Sequence, residues 1–456
     1  MLSRAAHLRA ARRSLVVALA SLPLLLSAPA QAQSLRQRIS DLFIFGEGQE
    51  PLFLAGSGDP NNPQSLQVHG MHFIPASSAE NGTLISLIGD ALGQSISGIP
   101  IGSTSGSETF RFEGGVPERT STSAGAIFAE RAATLGKDRV LVGISRTSFS
   151  FATLRGVNMH DIQLTFTHQN VDFPGCSAAV GGDCSKYGIP GVENDVMDFH
   201  LSMDLDVAVT PVYVTYGITD KVDVSVVVPL VQADFRGTSN AQIMPFGGTT
   251  ATHYFAGTPT NPVLSASRQS IGSAAGLGDV DVRAKFNLRQ NVNADVAVLV
   301  DARFPTGGTA DLLGSGKFTG RVIGIVDSHF GNFSPHLNGG YLYHAGEQQN
   351  DAILGTVGFD QLMSPRVTLA ADLVSALQVG DSKLVLPGVV TWDAPFRRSL
   401  NPTNIPTTRD DIVDGSFGVK IAPARNTIIV LNTLFPLNRG GLRPNLAYTF
   451  GIERTF

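Results

Sequence analysis

No stretch of this 456-residue chain reaches the ~18 consecutive apolar residues that a membrane-spanning helix needs. Helix-forming charge is also scarce: Asp, Glu, Lys and Arg make up 16% of the residues, against 49 Gly. That composition disfavours a helical bundle and favours strands and turns. Tryptophan occurs once against 26 Phe, so an aromatic girdle at a membrane interface would have to be built mainly from Phe. Two cysteines are too few for a disulfide framework or a multi-cysteine metal centre. Cys176 and Cys184 lie in one Gly-rich stretch and, in an exported chain, suggest a small loop-closing disulfide. There is no Gly-x-Ser-x-Gly elbow and no His-Glu-x-x-His pair, so no catalytic residue, metal or cofactor is expected. His336, His344 and many serines leave a barrel hydrolase as the weaker alternative.

What the chain does have begins with an address. Arg4, Arg9, Arg12 and Arg13 precede a short apolar core at Leu15–Leu26, and Ala28–Pro29–Ala30 or Ala30–Gln31–Ala32 makes a small-x-small cleavage site. Residues 1–32 thus form a secretory signal peptide. Its removal takes four arginines and no acid, moving the formal charge from −5 to −9. So acidic a balance speaks against a nucleic-acid partner.

The most informative stretch is Gly276–Gly307. From Val280 to Leu288 the even positions are Val280, Val282, Ala284, Phe286 and Leu288. The odd positions Asp279, Asp281, Arg283, Lys285, Asn287 and Arg289 are charged or amide. After a break at Gln290–Asn291 the alternation resumes, with Val296, Val298, Val300 and Phe304 against Asp295, Asp301 and Arg303. A period of two is the strand period, and strands of this length span a bilayer when tilted. No helical layer is available to cover so much apolar sheet. A transmembrane barrel needs none, because lipid lies outside and a polar lumen inside.

The same period recurs from residue 125 to the end. Candidate strands are Arg139–Phe151, Val157–His168, Phe199–Tyr216, Lys221–Val231, the Gly276–Gly307 hairpin, Lys317–Ser328, Phe333–His344, Ala352–Asp360, Arg366–Ala376, Ser416–Ile421, Thr427–Phe435 and Arg443–Phe456. Ala126–Thr134 is a weak addition. Connections after 216, 289, 328, 360 and 421 are short, and those after 231, 304, 344, 376 and 435 are longer. Counting 151 as short and 168 as long predicts an all-β, antiparallel up-and-down barrel of about fourteen strands, with twelve as the alternative. Gln169–Asp198 and Gln232–Ala275 are expected to be loops, and Pro211 a bulge or strand break. Residues 33–124 do not alternate and are expected to form a plug or periplasmic extension, entering from the periplasmic side.

Four short motifs in order resemble the outer-membrane family associated with the meta-pathway of phenol degradation. These are Tyr216-Gly217-Ile218-Thr219-Asp220, Val228-Pro229-Leu230, Gly276-Leu277-Gly278-Asp279-Val280 leading to Lys285, and Pro305-Thr306-Gly307. The resemblance covers about residues 199–456. A more distant likeness is to long-chain fatty-acid channels, fourteen-stranded with an N-terminal hatch. The family implies passage of small, often aromatic or hydrophobic, compounds and supplies no catalytic residues. The last strand, ending at Phe456, resembles the C-terminal signal by which outer-membrane barrels are handed to their assembly machinery.

The site expected from parity is a charged lumen row. It comprises Asp204, Asp206, Asp279, Asp281, Arg283, Lys285, Arg289, Asp295, Asp301, Arg303, Arg321 and Asp372. On the lipid face a cation near the midplane would cost about 2–4 kcal/mol. The partners expected are outer-membrane lipid, the assembly machinery and a small-molecule substrate. A non-channel structural or adhesive barrel is the competing class.

Overall fold

The computed structural model describes residues 33–43, 110–113, 116–119, 129–167, 196–245, 255–258, 260–289, 294–346, 349–384, 386, 388–392, 397–424 and 426–456. The expected signal peptide, most of the expected plug, Cys176 and Cys184 lie outside these residues.

Fifteen strands make the main sheet. They are β1 (Val140–Leu154), β2 (Val157–Asn158), β3 (Ile162–Thr167), β4 (Val196–Thr219), β5 (Val222–Met244), β6 (Ser265–Leu277), β7 (Val280–Arg289) and β8 (Asp295–Phe304). There follow β9 (Thr319–Asp327), β10 (Phe333–His344), β11 (Ala352–Ser364), β12 (Val367–Gln378), β13 (Ile412–Ala424), β14 (Thr427–Pro436) and β15 (Leu442–Thr455). Twelve of them close a barrel in the order β1-β4-β5-β7-β8-β9-β10-β11-β12-β13-β14-β15, with β15 pairing antiparallel to β1. At the seam Val140 and Phe456 exchange both backbone hydrogen bonds. Closure leaves no unpaired edge in the ring, which is what an isolated sheet of this size cannot achieve.

The fourteen-strand expectation is therefore corrected to twelve. The described part of the weak candidate Ala126–Thr134 is no strand: Ala129–Leu135 runs inside the barrel, with Ala132 and Leu135 buried. Val157–His168 supplies β2 and β3, which stand outside the ring as extra strands, joined by β6. This also reverses the direction of the first strand. The connection after Phe151 is a tight turn at Arg155–Gly156, both at positive φ, on the end that carries the long loops. Below, the end with the connections after Thr219, Arg289, Asp327, Ser364 and Ala424 is the turn end, and the other the loop end.

The stretch expected as a loop after Gln232 is also strand. β4 and β5 pair continuously from Val196–Met244 down to Thr219–Val222, with Pro211 facing Pro229. Pro211 does not end β4. It interrupts only the ladder to β1, which pairs Ile144 with Val212 and Thr147 with Val209 and skips between, where proline has no amide to donate. On the other side β6 covers the loop-end half of β5 and β7 its turn-end half. The two are one strand with an irregularity at Gly278–Asp279, because the register advances by one between Leu277–Leu230 and Asp281–Val227.

Along the hairpin the polarity of the two faces inverts. In the turn-end half, outward residues are apolar: Val212, Val214, Tyr216 and Ile218 on β4, and Val224, Val226 and Leu230 on β5. In the loop-end half they are polar: His200, Ser202, Asp204 and Asp206, with Gln232, Asp234, Arg236 and Asn240 beside them. The inward row switches the other way, from Asp223 and Ser225 to Phe199, Leu201, Met203, Leu205 and Phe235, each about 1% exposed or less. The crossover is at the paired positions Thr210 and Leu230. Around the rest of the ring the outward band is apolar, including Phe286, Val322, Leu337, Ile353, Phe417, Leu431 and Phe450, all exposed. So broad an apolar surface is matched to hydrocarbon, not to water.

Candidate functional site: a charged floor beneath an apolar chamber

The inward row of β7 and β8 meets the segment Ala129–Asp138 near the turn end. Arg283 is 3% exposed and lies 2.8 Å from Asp301, 3.3 Å from Asp281 and 3.6 Å from Glu130. Arg303 is 2.8 Å from Asp281, and Arg321 is 2.7 Å from Asp301. Three guanidiniums and three carboxylates therefore neutralise one another, most of them buried. Such a network is costly to break on one side, since the partner is left as an uncompensated buried charge. The segment is held by more than charge. Arg131 reaches Asp360 at 2.6 Å, the Ala132 amide donates to Asp327 Oδ1, the Leu135 amide donates to Asp223 Oδ2, and Asn287 Nδ2 donates to the Ala132 carbonyl.

At its C-terminal end the segment meets the first of the four motifs. The Lys137 amide donates to Asp220 Oδ1, Thr134 Oγ1 donates to the Asp220 carbonyl, and the Asp138 amide donates to the Gly217 carbonyl. A Cβ on Gly217 would lie 2.0 Å from the Gly136 carbonyl oxygen, so only glycine lets the two backbones approach. The other three motifs converge at the irregularity between β6 and β7. The Gly278 amide donates to the Pro229 carbonyl. Thr306 Oγ1 donates to the Gly278 carbonyl and accepts from the Val280 amide. Asp279 accepts from the amides of Gly307 and Ser315 and from Ser315 Oγ. These motifs build two wall anchors, one for the internal segment and one for the 305–318 loop.

Above the floor one wall of the lumen is apolar, while Asp414, Arg443, His344 and Gln378 stand on the rest of it. A cavity of about 410 Å³ extends from Glu130, Arg283 and Arg321 past Phe149, Phe151 and Leu434 to Asn350 and Asp410 among the loops. Its apolar wall belongs to the same buried cluster as Phe166, Phe199, Leu201 and Phe235. Into this cluster packs a described piece of the N-terminal segment, α1 (Leu35–Ser40) with a 3-10 turn at Asp41–Phe43. Leu35, Ile39, Leu42 and Phe43 are buried, about 1.5–3 kcal/mol each. The Phe43 ring centroid is 5.5 Å from that of Phe199 and 6.5 Å from that of Phe166. Gly237 on β5 and Gly272 on β6 make room, because a Cβ there would come 2.7 Å from Leu42 and 3.0 Å from Leu35. The Leu35 and Arg36 amides donate to Asp311 Oδ1 and the Ala310 carbonyl in the loop-end connection. Leu35–Phe43, part of an N-terminal segment expected to enter from the periplasmic side, thus lies at the loop end.

The expected lumen row divides. Asp281, Arg283, Lys285, Asp295, Asp301, Arg303 and Asp372 are buried on the inner face, and Arg321 is partly so. Lys285 lies 3.9 Å from Asp223. Asp204 and Asp206 correct the expectation: they point outward in the inverted half, with His160 on Asp204 at 2.7 Å and Ser150 Oγ donating to Asp206. Parity is right there, but the inner side is the apolar one. Arg289 also departs, lying exposed after a register shift at Asn287/Arg289. Asp279 is buried but serves the loop rather than the lumen. Phe456 is exposed beside the seam, with Arg454 5.1 Å from its ring centroid. His336 is 2.6 Å from Asp372 and 3.8 Å from Asp360 with no hydroxyl nucleophile on either nitrogen, and His344 Nδ1 donates to the Asn350 carbonyl. Neither has the geometry of a Ser-activating base.

No protein-family model matches the chain, that of the phenol-pathway family included, and no curated protein matches it. Among solved structures it is similar to an outer membrane channel from Pseudomonas putida F1, with 12% identity over 71% of this chain and 98% of that one and a TM-score of 0.39. It is similar also to a deletion mutant of the monoaromatic hydrocarbon channel TodX, with 11% identity, 80% and 99% coverage and a TM-score of 0.34. A Pseudomonas aeruginosa FadL homologue gives 9% identity, 70% and 90% coverage and a TM-score of 0.31. Scores this low decide nothing about this chain's activity.

Proposed function

We propose that the protein is an outer-membrane channel that passes small hydrophobic, including aromatic, compounds. The observation that carries this reading is the inversion of polarity along β4 and β5. A structural barrel would have no use for an apolar chamber inside a wall whose outer face is polar. A port that takes an apolar solute out of water and presents it to a lumen needs that arrangement, with hydrophobic burial favouring entry. In this reading the outward apolar band sits in lipid, the turn end is periplasmic, and the β4–β5 hairpin with β3 and β6 stands above the bilayer. The strand ending at Phe456 is the handle for the assembly machinery. Residues Ala129–Asp138 and the α1 segment obstruct the lumen at its two ends, so passage requires at least one of them to move. The test is uptake by cells of a Gram-negative host lacking hydrocarbon channels. Expression should raise the initial uptake of radiolabelled toluene and leave sucrose unchanged, and Phe199→Arg should abolish the gain at equal outer-membrane level. Toluene uptake equal with and without the protein would sink the proposal.

A further inference from the structure

Asp295 opens β8 and Asp327 ends β9, and the two are directly opposite in the antiparallel register. Like charges facing each other across a strand pair destabilise it, and both are almost fully buried, Asp295 at 4% and Asp327 at 2% exposure. His329 follows in the turn after β9. Its Nε2 lies 3.9 Å from Asp295 Oδ2 and 3.7 Å from Asp327 Oδ2, too far in each case for a hydrogen bond. One ligand atom from each residue falls within 4.8 Å of the other two. Asp327 Oδ2 accepts no hydrogen bond despite its burial, while Oδ1 takes the Ala132 amide. On its other side His329 Nδ1 is 3.1 Å from Ser334 Oγ, within hydrogen-bonding distance, so Nε2 is the nitrogen that faces the carboxylates.

The geometry points to a divalent transition-metal site of the zinc class, held by Asp295, Asp327 and His329. Two carboxylate oxygens and an imidazole nitrogen about 2.0–2.2 Å from one ion can lie up to about 4 Å apart, which spans both distances above. A mixed O, O, N set suits zinc better than magnesium or calcium, which favour oxygen throughout. Three protein ligands leave a position for water. The Ser334 contact is the outer partner that ligating histidines generally have. The ion would offset the facing carboxylates. Through Asp327 it would also steady the acceptor on which the Ala132 backbone rests.

The test uses the full mature chain without an affinity tag, in detergent, stripped with a chelator and titrated with Co²⁺ and Zn²⁺. One equivalent of Co²⁺ should give visible bands of a four- or five-coordinate N/O site, displaced by Zn²⁺. Asp327→Asn, which keeps the acceptor for Ala132, and His329→Gln in the turn should each weaken binding by about tenfold or more. His160→Ala, at the exposed pair with Asp204, should leave it unchanged. Heat-modifiable migration confirms that each variant is folded. No Co²⁺ or Zn²⁺ binding by the folded protein would overturn the assignment. So would binding that survives His329→Gln, or binding lost with His160→Ala.

Discussion

The two halves of the β4–β5 hairpin use the same alternation to opposite ends. Near the turn end the outward row is Val, Tyr and Ile, and the inward row mixes Tyr213 and Val227 with Thr215, Asp223 and Ser225, Asp223 holding the Leu135 amide of the internal segment. Near the loop end the outward row is His, Asp and Gln, and the inward row is Phe, Leu and Met. The difference follows from what lies beyond each face. Hydrocarbon outside forces polar groups inward, where they must pair with one another. Water outside releases the apolar row to the inside, where it can hold an apolar helix or an apolar solute.

The comparison breaks first at the floor. Arg283→Met leaves Glu130, Asp281 and Asp301 short of a buried partner, and should cost about 3–5 kcal/mol in urea unfolding of the refolded barrel. Its conductance in planar bilayers should rise as Ala129–Asp138 loosens; an unchanged conductance would detach that segment from any closing role. Next comes the outer face. Val282→Arg should cost about 2–4 kcal/mol and reduce the heat-modifiable form in membranes, whereas Gln232→Arg, outward but past the crossover, should assemble normally. Equal tolerance would mean that the crossover is misplaced. In the chamber, Ile39→Val should cost about 0.5–1.5 kcal/mol if α1 is packed as described, read from the same urea midpoint. Smallest is Asp204→Asn, within about 0.5 kcal/mol. A loss matching Arg283→Met would return Asp204 to the lumen.

What was legible from the sequence was parity, and what was not was its sign. The β7–β8 hairpin could be placed because one row is wholly charged or amide on β7 and carries Asp295, Asp301 and Arg303 on β8, so only one orientation is affordable in lipid. On β4 the rows are Phe199–Val209 against His200–Asp206, a pattern equally suited to lipid outside or an apolar chamber inside. The extension past Gln232 was hidden for a related reason. Its inward row is Ala233, Phe235, Gly237, Ser239 and Ala241, kept small where α1 approaches, so the contrast between rows falls to that of a loop. Ala129–Leu135 alternates weakly and resembled a strand, yet its amides are taken by Asp327 and Asp223 side chains instead of a neighbouring ladder. Cross-strand partners such as Arg303 with Asp281 depend on register, which a single-residue shift resets.

The α1 contacts have a kinetic consequence. The hydrogen bond from the Leu35 amide to Asp311 closes a span of 276 residues, and that from Arg36 Nε to the Thr309 carbonyl one of 273. Loop closure this long is slow, so these contacts are expected to form late, after most of the ring has paired. Interactions absent from the transition state act almost entirely on the rate of escape from the native state. Removing the α1 contacts should therefore shorten the lifetime of the finished barrel while leaving its rate of formation nearly untouched.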